Sequence, residues 1–124
     1  MTKALEIINL RKTYLAGLEA LKGPQDEVEK IINEFEKRKI YVHREINKLD
    51  NISCFLPGGA FYAFPNISKT RMTGEEFADI ALNQFGVALV PGSSFGDSVD
   101  EFIRISYANS MENIEEAIYR LSKI

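Results

Sequence analysis

Apolar residues recur along this chain at two periods, and each change of period marks a boundary. Val28, Ile32, Phe35, Val42, Ile46 and Leu49 follow one another at roughly three- and four-residue steps, which predicts one long amphipathic helix over 25–49. Pro24 fits its first helical position, and Asp26 and Glu27 lie where the positive end of the helix dipole favours acids. Upstream, Leu15, Leu18 and Leu21 are spaced by threes, so residues 1–23 read as a separate N-terminal helical segment. Asp50-Asn51 closes the long helix with turn-prone residues. Ile52–Leu56 and Ala60–Phe64 then read as two strands of an antiparallel hairpin turned by Pro57-Gly58-Gly59. A polar loop follows over 65–72.

Thr73-Gly-Glu-Glu76 has capping-box spacing, and Phe77, Ile80 and Ala81 continue as one helical face that Gly86 stops. Val87–Val90 is a short apolar strand, and Phe102–Tyr107 is another beyond a loop rich in Ser, Gly and Asp. Ser110 caps a last helix with an apolar stripe of Ile114, Ala117, Ile118 and Leu121. This order predicts an α+β fold for residues 24–124 as a single small domain. Its sheet is expected to be small, mixed and largely antiparallel, with helices packed mainly on one face.

The strand at 102–107 carries the candidate chemistry. Alternation puts Ile103, Ile105 and Tyr107 on one face, and Phe102, Arg104 and Ser106 on the other. A guanidinium held in an otherwise apolar strand can fork onto a carboxylate through two parallel hydrogen bonds. An arginine at a sheet edge, or one paired with a local acid, is the alternative.

Composition narrows the classes. The chain has 124 residues, 45% hydrophobic and 27% charged, with a formal charge of −3. That balance leaves no electrostatic footprint for nucleic acid or an anionic membrane. Lys37-Arg38-Lys39 follows Glu34 and Glu36 and reads as a solvated helix face. One histidine, His43, and one cysteine, Cys54, cannot build a His/Cys metal centre. His43 reads as a surface or satisfied helix residue, and Cys54 as a small core residue with a reactive thiol as the alternative. No apolar run approaches a membrane span, and the expected location is cytoplasmic.

Four segments in series resemble a known family. Gly59-Ala-Phe-Tyr-Ala-Phe64, Gly86-Val-Ala-Leu-Val-Pro-Gly92, Ser94-Phe-Gly96 and Ile103-Arg-Ile-Ser-Tyr-Ala108 are similar to the C-terminal small domain of class I aminotransferases. These are the pyridoxal-phosphate enzymes that include aspartate aminotransferase, and the resemblance covers about residues 15–124. It implies that Arg104 grips the α-carboxylate of an amino-acid or 2-oxo-acid substrate. It also implies that Gly58 and Gly59 allow close approach to a neighbouring domain, and that Phe61 lines the pocket; a plain turn and a core position are the alternatives.

The family's cofactor-bearing lysine, and the groups that hold the pyridine nitrogen and the phosphate, belong to a large domain that matches nothing in this sequence. Pyridoxal 5'-phosphate is therefore implied by family only, and no catalytic, cofactor-binding or metal residue is assigned. Lys69, in Ile-Ser-Lys-Thr, reads as a surface lysine. The chain is expected to be a truncated or split aminotransferase-like protein, inactive alone, joined by a separate large-domain chain or by self-association. A non-catalytic module binding amino acids or dicarboxylates is the alternative.

Overall fold

The computed structural model describes residues 22–124. The expected N-terminal helix over 1–23 lies almost wholly outside them. The chain divides into two units, Met1–Asn33 and Glu34–Ile124, with the boundary inside the first long helix.

That helix, α1, spans Asp26–Ile46. Pro24 does not occupy its first turn: the first backbone bond runs from the Glu29 amide to the Gln25 carbonyl, one residue beyond the proline. Asp26, Glu27 and Glu29 do fill that turn. In the second unit Val42 and Ile46 are buried, as their spacing predicts. The solvated basic run is only partly so. Lys37 reaches Glu34 in the open, but the Lys39 side chain is 16% exposed against Glu36. Arg38 lies over the Phe35 ring.

The expected hairpin is replaced by a wider return. Ser53 and Asn66 exchange both backbone bonds as a single antiparallel bridge, and no strand forms over 52–56. The Asn47 side-chain amide takes the place of a strand partner. It donates to the Cys54 carbonyl at 2.9 Å and accepts from the Cys54 amide at 3.0 Å. Pro57 has no amide hydrogen to extend a ladder, and Ala60 turns the chain at φ 59°.

Strands β1 (Tyr62–Ala63), β2 (Val90–Pro91) and β3 (Ile103–Ser106) form a sheet ordered β1-β3-β2. Both pairings are antiparallel, with Tyr62 opposite Ser106 and Val90 opposite Arg104. Among the described residues the sheet contains no parallel pair, so it is simpler than the mixed sheet expected. Helix α2 (Gly74–Phe85) starts on the predicted capping box, with Thr73 and Glu76 bonding reciprocally, and ends at Gly86 in the left-handed region. Helix α3 (Met111–Leu121) starts at Ser110, whose hydroxyl accepts from the Asn113 amide.

All three helices meet the same side of the sheet. Val42 and Ile46, Phe77 and Ala81, and Ile114, Ile118 and Leu121 bury against Ala63, Ile103 and Tyr107. The loop after β2 is seated by Gly92, whose amide donates to the Phe102 carbonyl at 2.7 Å. A Cβ there would stand 1.8 Å from the Val99 carbonyl oxygen, so backbone takes the space a side chain needs. Replacing Gly92 by Ala is therefore expected to lower stability by at least about 2 kcal/mol, measured by urea unfolding.

Candidate functional site

The two faces of β3 differ in kind. Ile103 and Tyr107 point into the core at 1% and 0% exposure, which obliges Arg104 to point the other way. Phe64 and Phe102 share that outer face and stack at 5.1 Å between centroids, 8° from parallel. Phe95 arrives from the 3-10 turn Gly92–Phe95 that follows β2 and meets Phe64 edge-on at 5.9 Å.

Arg104 sits among these rings. Its guanidinium carbon lies 4.4 Å from the centre of the Tyr62 ring and 5.0 Å from that of Phe95. Tyr62 belongs to β1 and Phe95 follows β2, so each strand beside β3 contributes one ring. Among the described residues no carboxylate is paired with Arg104, and its Nε is buried without a hydrogen-bond partner. Aromatic faces attract the cation but satisfy none of its directional N–H donors. Among the described residues, the guanidinium donors thus stay uncommitted.

The other sequence candidates fall around this point. The Phe61 ring lies 4.4 Å from Tyr62 and 6.0 Å from Phe35, one ring removed from the guanidinium. Gly59 is exposed, and a Cβ on it would meet nothing within 4 Å. Lys69 is exposed in the 3-10 turn Ser68–Thr70. Among the described residues no cluster of His, Cys, Asp and Glu could hold a metal ion. Cys54 is a core residue; burial pushes its thiol pKa up, against a smaller opposing effect of the Phe64 backbone.

Tyr62 and Phe95 lie inside two of the segments that carry the resemblance, but the sequence assigned neither a place in the site. Tyr62 was accessible in principle, since it shares strand parity with Phe64. Phe95 lies in a turn, where no periodicity reports which way a side chain points.

A separate cavity of about 390 Å³ opens on the helix side, between Val87–Leu89 and the face of α3. Arg104 does not line it, and it holds no comparable free cation: Arg120 there donates to Glu116 at 2.8 Å and to the Phe85 carbonyl at 3.2 Å.

The family profile for aminotransferase class I and II matches residues 11–121, and the chain belongs to that family. An aspartate aminotransferase of Pyrococcus horikoshii is 38% identical over 111 residues, which are 88% of this chain and 28% of that protein. An aromatic-amino-acid aminotransferase of Thermococcus litoralis is 36% identical over 110 residues, 85% of this chain and 28% of its own length. Among solved structures, the aspartate aminotransferase of Rhizobium meliloti superposes with a TM-score of 0.81 at 35% identity, over 87% of this chain and 29% of that one. The chain thus spans a little over a quarter of the relatives it matches.

Membership in the family implies pyridoxal phosphate as cofactor. The residues around Arg104 fit a carboxylate and do not fit this group. Two aromatic rings flank the guanidinium, and they provide neither a primary amine for the cofactor aldehyde nor a carboxylate for its ring nitrogen. Among the described residues no helix is long and apolar enough to cross a membrane.

Tyr107 ties β3 to the turn before β1: its hydroxyl donates to the Ala60 carbonyl at 3.0 Å. Burial raises the phenol pKa above its ordinary value, and the nearby Lys39 ammonium lowers it by less. A raised folded-state value contributes stability that is fully present below the free phenol value, about 10, and lost as pH rises through the folded one. Tyr107→Phe is expected to cost about 1 kcal/mol at neutral pH. It should also flatten the alkaline loss of stability, as read from unfolding curves between neutral and strongly alkaline pH.

Proposed function

We propose that this chain is the substrate-carboxylate-binding part of an aspartate aminotransferase-like enzyme, closing over a pyridoxal-phosphate site located elsewhere. The observation that carries the reading is Arg104 on the outer face of β3, held between the Tyr62 and Phe95 rings with a buried, unpartnered Nε and, among the described residues, no acid paired with it. Leaving a buried donor unmade costs about 1–3 kcal/mol, so the arrangement favours a ligand that supplies the oxygens. In transamination such a clamp has a mechanical purpose. Two parallel hydrogen bonds fix the substrate about its carboxylate and so orient the Cα–H bond for proton removal. A lysine at position 104 would keep the charge and lose the fork. Gly59 and Phe61 belong to the proposed edge that faces the cofactor-bearing part of the enzyme.

The chain alone is expected to show no transamination, and to bind 2-oxoglutarate weakly, with a Kd on the order of millimolar. Nuclear magnetic resonance titration reads this directly. Arg104→Ala should abolish the response, and Arg104→Lys should weaken it at least about tenfold. Equal binding by Arg104→Ala, or turnover that depends on Arg104, would overturn the reading. A micromolar affinity would instead identify a self-contained dicarboxylate-binding module.

A partner is part of the proposal. Phe55 is 92% exposed and Leu56 54%, neighbouring apolar residues left to solvent. A covering surface is expected, from a separate large-domain chain or a second copy. Sedimentation velocity should show self-association at high concentration that Phe55→Ser with Leu56→Ser reduces. A wild-type chain that stays monomeric, alone and with a large-domain chain, would count against it.

A further inference from the structure

We propose that Phe95 is a positioning residue, holding the Arg104 guanidinium against Tyr62 so that its fork meets a carboxylate in one orientation. This rests on the carboxylate reading of Arg104 and adds to it the group that orients the clamp. An arginine side chain carries roughly 2 kcal/mol of rotamer entropy, which a ligand must overcome if the guanidinium is mobile. Hydrogen-bonding partners could immobilise it, but they would occupy the donors that the ligand needs. Aromatic faces immobilise it and leave the donors free.

The surroundings of Phe95 suit that task. It is 50% exposed, so it adds little to the core. Its ring meets the guanidinium at 5.0 Å and Phe64 edge-on at 5.9 Å. Phe64 is itself fixed by stacking on Phe102. The turn that carries Phe95 is anchored at its base on both sides. The Gly92 amide donates to Phe102, and the Ser93 hydroxyl donates to the Glu75 carboxylate at 3.0 Å. Past the ring, Gly96 takes φ 145° with open space where a Cβ would stand. The ring is therefore held from below, and no hydrogen bond among the described residues occupies the guanidinium donors.

The test uses the full chain labelled with ¹⁵N, with 2-oxoglutarate as probe. Two quantities are read: the ring-current shift of the Arg104 Nε–H signal, and the affinity from titration. Wild type should show an upfield-shifted signal. Phe95→Ala should move it toward the position of an unstacked arginine and weaken 2-oxoglutarate roughly five- to tenfold. Phe95→Tyr, which keeps a ring, should restore both, and it guards against a loss caused by misfolding. Wild-type affinity in Phe95→Ala would overturn the proposal, as would an affinity loss with the Arg104 signal unmoved. If wild type shows the shifted signal yet binds no 2-oxoglutarate, the carboxylate reading fails and the positioning role fails with it. An unshifted wild-type signal with intact binding defeats the positioning role alone.

Discussion

The pleat of β3 is the constraint from which the rest follows. Ile103 and Tyr107 are drawn into the core by their own burial, and because the side-chain period of a strand is two, Arg104 has no choice of face. A register slip of one residue would place the guanidinium among Phe77, Ala81 and Ile118, where an unpaired charge is prohibitively costly. The hydrophobic effect, acting on the residues either side, thus positions a polar group that it does not itself stabilise. Tyr107 adds a second restraint, since its hydroxyl fixes the end of β3 to the turn before β1.

The helical half of the fold was legible because its signals are local. Thr73 and Glu76 form both bonds of the capping box, Gly86 takes the left-handed conformation, and Ser110 caps the last helix. The strands were legible in parity but not in extent. Val87–Val90 pairs only at Val90, since the Val87 amide is spent on the Ala81 carbonyl at the end of α2. The segment 52–56 looked like a strand for good reason, yet a side chain from 47 satisfies the backbone of Cys54. A pattern of apolar residues cannot reveal that a polar side chain elsewhere will supply the hydrogen bonds.

The site divides along the same line. Arg104 was legible because charge inside an apolar strand is anomalous in any register. Its surroundings were not, because they come from three separate stretches of chain: β1, the turn after β2, and β3 itself. Family resemblance fixed which anion the arginine is expected to meet, and the comparisons establish the family. Both aromatic flanks lie inside the segments that carry the resemblance, but neither the resemblance nor the comparisons gave them a role.

Those flanks answer an energetic question. Arginine is almost never fully buried unless it is paired, since an unpaired guanidinium loses hydration without recompense. Here an acid at that position would compete with any incoming carboxylate for the same donors. Tyr62 and Phe95 resolve the conflict by the symmetry of the interaction: a ring attracts the whole cation through its face, whereas a carboxylate needs the N–H vectors at the cation's edge. The attraction offsets part of the lost hydration and leaves directional bonding in reserve. On the proposed reading, a clamp held this way would be ordered before the ligand arrives, and the binding free energy not spent on ordering would remain for fixing the substrate.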